Sequence, residues 1–295
     1  MRIELHKKKY NRRIKIYYKE NLDSVLAEEV INSIWFNKKG RKIKIALIKA
    51  DKGKVYKAEY NNQTYYIKSY ANRSIKKNFK NIFRLPEGIR FFKLAEKLKK
   101  SDIPAPVPVL ALTLRRNFIV VDSIFVMEEV AGVDLYTYLS KTDKCNRVIR
   151  EKVIDEFAFL WSKLINNKFL HQDPGLNNFM IDIKEDIEIK LIDIDNIYQL
   201  PVLPERLILK NLAKLRSRQI TDFNKTDTKP LSQKEVSAFL VKFKNYCNRI
   251  IKSPSFLEDI NIEAIRRLIK YNSKDIVFED ENLYNLYQEK MKSSF

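Results

Sequence analysis

The sequence predicts an α+β fold of two lobes, strand-rich first and helix-rich second, and three observations carry that reading. Residues 42–70 and 109–130 are rich in β-branched and aromatic residues broken by turn-formers, the pattern of antiparallel strands. After Gly132 the apolar positions recur at helical spacing. The composition, 45% hydrophobic and 32% charged over 295 residues, is globular and long enough for two lobes of ordinary size.

Taken in order, IKIALIKA, KVYKAEY and TYYIKSY read as strands, with YNNQT turning the last two. PEGIRFFKLAEKLKK (86–100) reads as a helix with Pro near its start. SDIPAPVP breaks it and leads to strands around VLALTL and IFVMEEV. Helical segments follow at LYTYLS and VIREKVIDEFAFLWSKLINN, then short strands at FMID and IEIKLID, then mostly helix. The expected organisation is a basic N-lobe over 1–129, a helical C-lobe over 130–250, and a tail over 251–295 that holds a helix, NIEAIRRLIKY, and an acidic patch, VFEDEN. The cleft between such lobes is the expected ligand site.

Charge is concentrated rather than spread. Residues 1–100 hold 28 Lys/Arg and 9 Asp/Glu, or +19, while 101–295 hold 29 and 28, or +1. One basic lobe suggests a docking surface for something anionic. Cys145 and Cys247, with His6 and His171 as the only histidines, lack the spacing of a zinc site and read as free thiols. No segment approaches the roughly 20 apolar residues of a membrane span, and the basic N-terminus lacks the apolar core of a secretory signal. A cytoplasmic location is expected.

The chemistry is concentrated in LHQDPGLNN (170–178) and LIDIDN (191–196). Phosphoryl transfer needs a carboxylate at the attacking hydroxyl, oxygen ligands for Mg²⁺, and a cation on the nucleotide phosphates. Kinase-like enzymes supply these as H-x-D-x-x-x-x-N, a second Asp after a nearby strand, and a Lys on an early strand. His171, Asp173 and Asn178 fit the first pattern, Asp193 the second, and Lys68 ends the strand TYYIK. Any one of these is common by chance; their order along the chain favours a phosphate-transfer site.

The sequence also resembles the lipopolysaccharide core kinases (the Kdo/WaaP group, heptose kinases included), which have a protein-kinase-like fold. The resemblance runs from about Ile43 to Cys247 and is carried by YYIKSY, KKNFKNIFR, KSDIPAPVPV, VMEEVAGVDL, FLHQDPGLNNFMID, LIDIDN, ERLILKNLAKL and PLSQKEVSAFLVKFKNY. It implies an ATP- and Mg²⁺-dependent kinase acting on a heptose or Kdo hydroxyl of the lipopolysaccharide core. By the same resemblance Asp173 serves the acceptor hydroxyl, Asn178 and Asp193 hold Mg²⁺, and Lys68 binds the nucleotide phosphates paired with a helix glutamate. His171 braces the loop. The sequence departs from the family pattern in three places. The phosphate loop has a single glycine, Gly53; IDID stands where kinases have D-F-G; and the helix glutamate is displaced, Glu87 being chosen over Glu96. Glu128 to Val130 form the expected hinge for adenine, and Arg206 and Lys210 are candidates to face the acceptor.

Within SIKKNFKNIFR (74–84), Lys76, Lys77, Lys80 and Arg84 fall between apolar residues at helical spacing. Such a helix suits an anionic membrane interface, so the expected partners are the core glycolipid and the inner-membrane surface, with peripheral attachment. A helix simply packed on its lobe gives the same pattern. Nucleic acid has only charge in its favour. An atypical protein or small-molecule kinase, or a pseudokinase scaffold for anionic partners, stays open.

Overall fold

The computed structural model describes residues 3–50, 53–71, 84–117, 119–141, 147–184, 186–223, 231–248, 251, 255–270, 285 and 288. It divides into two units, Met1–Lys100 with Ala105–Val130, and Ser101–Pro104 with Ala131–Phe295. In the basic run 74–84 only Arg84 is described, and it is exposed. Cys145 and the acidic patch at 277–282 also lie outside the described residues.

The first unit is built on seven antiparallel strands: β1 (His6–Lys9), β2 (Ile14–Tyr18), β3 (Lys44–Ala50), β4 (Lys54–Tyr60), β5 (Gln63–Ser69), β6 (Pro108–Arg116) and β7 (Ile119–Glu128). Their order across the sheet is β1-β2-β6-β7-β5-β4-β3. Asn61 and Asn62 close β4 onto β5 with φ of 48° and 61°. Two left-handed residues between paired Tyr60 and Gln63 make the tight hairpin turn whose twist suits the strands, and Asn tolerates that region.

One face of the sheet is covered by α1 (Ser24–Trp35). Asp23 caps this helix by accepting from the Leu26 N–H at 2.9 Å. Leu26, Ala27, Val30 and Ile31 bury one stripe against Ile14, Ile16, Ile67, Leu112 and Val126. The other face is covered by α2 (Glu87–Lys100), where Phe92 meets Phe125 edge-on at 6.3 Å between centroids. Gly88 lets the start of α2 approach β7. A Cβ there would stand 2.4 Å from the Ile124 carbonyl oxygen, and the Gly88 N–H, an orphan of the first turn, donates to Ser123 Oγ at 3.1 Å.

The second unit is mainly helical: α3 (Leu135–Lys141), α4 (Arg147–Asn166), α5 (Glu205–Phe223), α6 (Gln233–Tyr246) and α7 (Phe256–Lys270). Its strands are β8 (Val133–Asp134), β9 (Phe169–His171), β10 (Phe179–Ile183), β11 (Ile187–Leu191) and β12 (Ile197–Gln199). A chain of aromatic contacts forms its core. Phe157 of α4 meets Trp161 at 5.8 Å, Phe179 at 5.0 Å and Phe239 of α6 at 5.2 Å. Side chains of this size contribute most of the burial free energy of such a core. Ser232 and Glu235 form a reciprocal capping box at the start of α6, and Arg150 of α4 pairs with the same Glu235.

A carboxylate sits partly buried within the first unit's packing. Asp122 of β7 accepts from Trp35 Nε1 at 2.9 Å and from Ser69 Oγ at 3.3 Å. Burial pushes its carboxyl above the usual range, and these hydrogen bonds only partly oppose that. An acid with a raised folded pKa favours the folded state when protonated, and that contribution is lost as pH rises through the folded value. Asp122→Asn keeps an acceptor for Trp35 and removes the charge. It is therefore expected to raise the Tm at pH 7, with the gain shrinking toward pH 4. A Tm lowered at pH 7 would show that the carboxylate charge is needed.

Candidate active site

In the second unit the strands pair in a nested way. β10 pairs with β11 in the register Phe179↔Leu191, and β9 pairs with β12 in the register His171↔Ile197. The loop 172–178 leaves β9 for β10, and the loop 192–196 leaves β11 for β12, so both lie where the two ladders meet. Hydrogen bonds tie the loops together at both ends. Ile192 N–H donates to the Asn178 carbonyl at 3.0 Å, and Gln172 N–H to the Asn196 carbonyl at 2.7 Å. The antiparallel register thus sets Asn178 opposite Ile192, with Asp193 one residue further.

Within the first loop several polar groups have defined partners. The Asp173 N–H donates to His171 Nδ1 at 3.2 Å. Asn178 Nδ2 donates to the Asp173 carbonyl at 2.6 Å, which fixes the amide so that Oδ1, a hard oxygen donor, is directed elsewhere. The Asp173 carbonyl also accepts from the Gly175 N–H at 2.9 Å. Asp173, Asn178 and Asp193 are all half-buried, and each offers oxygen, the donor type that Mg²⁺ takes.

His171 is fully buried, its ring 6.0 Å from that of Phe179. Burial lowers its pKa from 6.5 to about 4, against the pull of Asp193 and Asp173. The imidazole is therefore neutral, with Nδ1 accepting and the proton on Nε2, which has no hydrogen-bond partner among the described residues.

Three side chains of α5 hold the same loop, and the sequence reading did not single them out. Asn211 Nδ2 donates to the His171 carbonyl at 2.8 Å, Lys214 Nζ donates to the Gln172 carbonyl, and Arg218 pairs with the Asp173 carboxylate at 2.7 Å. Their spacing, i, i+3 and i+7, sets them on one helix face. Burial lowers the Lys214 pKa while Asp173 opposes that effect. Arg206 and Lys210, read as acceptor-facing candidates, are exposed.

The other candidates belong to the first unit. Lys68 lies on β5 opposite Phe125 of β7, so it shares the sheet face that α2 covers. Glu87 begins α2, next to the Gly88 that meets Ile124, and pairs with Arg90 at 3.9 Å. Glu96 is buried and pairs with Lys19 at 2.6 Å. Gly53 precedes β4, where a Cβ would stand 2.9 Å from the Ser69 carbonyl oxygen; close strand approach alone accounts for a glycine there. At the end of β7 the Glu128 N–H donates to the Val107 carbonyl at 3.0 Å and the Glu129 N–H to that of Thr64 at 2.9 Å. Those two donors are therefore committed within the fold.

A neutral buried imidazole has a measurable consequence. Because the folded pKa is depressed, its contribution is intact above pH 6.5 and is lost as pH falls toward 4, about 3 kcal/mol in all. The His171 ring resonances should stay unprotonated in an NMR titration down to about pH 5. A midpoint near 6.5 would mean a solvated ring and no brace on the loop.

The sequence profile of the lipopolysaccharide kinase (Kdo/WaaP) family matches residues 34–243. No curated protein matches the chain. Among solved structures, WaaP in complex with acyl carrier protein is similar at a TM-score of 0.50 and 14% identity, over 88% of this chain and 97% of that one. A protein of Ralstonia eutropha JMP134, provisionally named an aminoglycoside phosphotransferase, gives 0.48 and 11% over 83% and 88%. At 14% identity the WaaP likeness speaks to the fold alone, and it is the kinase-like fold. No described helix is long and apolar enough to cross a membrane. The matched span, more than half of the chain, settles the assignment: this protein belongs to the lipopolysaccharide kinase (Kdo/WaaP) family and is a phosphotransferase acting on the lipopolysaccharide core.

Proposed function

We propose that the chain transfers the γ-phosphoryl group of ATP to a hydroxyl of a core sugar, heptose or Kdo, at the cytoplasmic face of the inner membrane. The observation that carries this reading is the meeting of Asp173, Asn178 and Asp193 at the junction of two strand ladders. Asp173 orients the acceptor hydroxyl and takes its proton as the oxygen attacks γ-phosphorus and the bond to the β–γ bridging oxygen breaks, releasing ADP. Asn178 Oδ1 and the Asp193 carboxylate are the groups that would hold Mg²⁺, and the all-oxygen donor set fits that ion. When bound, the ion supplies neutralising charge at the phosphoryl oxygens.

In the first unit, Lys68 is assigned to the α- and β-phosphates, with Glu87 as its helix partner and Gly53 in the turn that covers the phosphates. The Glu128 carbonyl and the Val130 backbone are assigned to adenine. Attachment to the anionic membrane is assigned to the basic first third, through Lys76, Lys77, Lys80 and Arg84; each such residue near the surface contributes about 1 kcal/mol.

The test is transfer of labelled phosphate from ATP, with Mg²⁺, to purified dephosphorylated core glycolipid. Wild type should label it, and Asp173→Asn and Asp193→Asn should each lose about 10²-fold or more of that rate. ATP binding without glycolipid labelling would overturn the acceptor assignment. Full activity of Asp173→Asn would overturn the role given to that carboxylate.

A further inference from the structure

We infer that Arg218 is the positioning residue for Asp173, fixing which carboxylate oxygen meets the acceptor hydroxyl. The inference rests on the reading of Asp173 as the group that receives the hydroxyl proton. Arg218 Nε and one terminal guanidinium nitrogen both donate to the same oxygen, Asp173 Oδ1, at 3.1 and 2.7 Å. Oδ2 accepts no hydrogen bond from the described residues. A carboxylate held by one oxygen through two N–H groups has its rotation about the Cβ–Cγ bond restricted, and Oδ2 is left directed to the incoming hydroxyl.

Stability does not account for this arrangement. The Arg218 and Asp173 side chains are 43% and 39% exposed, and ion pairs in that setting contribute little to folding. Yet the arginine sits on a fixed support. It is the third residue of the α5 face whose Asn211 and Lys214 already hold the carbonyls of His171 and Gln172. One helix therefore registers three consecutive residues, 171–173, two by their backbone and the third by its carboxylate side chain. Carboxylates oriented in this way gain their rate from near-attack geometry, in which small misplacements are costly.

The experiment compares Arg218→Met and Arg218→Lys with wild type and Asp173→Asn, using ATP and dephosphorylated core glycolipid. Arg218→Met should lower kcat by about 10²-fold, with the KM for ATP and the Tm unchanged. Arg218→Lys should recover part of the loss, since its Nζ can donate one hydrogen bond to Oδ1. Wild-type kcat in Arg218→Met, with transfer abolished in Asp173→Asn, would overturn the inference and leave the role of Asp173 standing. A raised acceptor KM at unchanged kcat would overturn it in favour of substrate binding. A matching fall in Tm that lysine does not rescue would reduce it to a structural contact. Wild-type activity in Asp173→Asn would overturn the underlying reading and the inference together.

Discussion

The register of the β10–β11 hairpin is the constraint on which the site depends. Phe179 pairs with Leu191, so the residue before one strand and the residues after the other are adjacent whatever their side chains. The outer pair, β9 with β12, repeats this one step outward and returns the chain beside its own start. Two short loops on either side of the hairpin are thereby held to each other by backbone hydrogen bonds. A one-residue slip would turn every strand side chain to the opposite face and carry Asp193 out of line with Asn178.

That register is itself held by packing on one side and by a helix on the other. Phe179, the first residue of β10, is buried against Phe157 and Trp161, and truncating such a residue costs about 3–5 kcal/mol. His171 lies against the same ring and is kept neutral by its burial. From the other side α5 reaches the loop through Asn211, Lys214 and Arg218. Apolar burial thus supplies the rigidity, and the polar contacts aim the groups proposed to do the chemistry.

Much of this was legible in the sequence because it is local. The strands TYYIKSY and KVYKAEY and the helix after Pro86 declare themselves by period and by turn residues, and the spacing within LHQDPGLNN is short enough to read directly. The first 41 residues were not resolved into elements. β1 is HKKK, exposed at every position, so it has no alternation to detect. α1 did carry a signal, Asp23 before Leu26, Ala27, Val30 and Ile31 at helical spacing. The α5 clamp was illegible for another reason. Arg218 lies 45 residues from Asp173, and only the packed structure shows which of many basic residues on a helix meets the loop.

Asn178 and Asp193 are proposed as one oxygen-donor pair beside Asp173, and that pairing carries the functional reading. It is tested most directly by a crystal structure of the protein with a non-hydrolysable ATP analogue and Mn²⁺ in place of Mg²⁺, the metal being located by its anomalous signal. A metal peak is expected within coordinating distance of both Asn178 Oδ1 and the Asp193 carboxylate. A metal bound elsewhere with the nucleotide in place, or ligated without either residue, would contradict it.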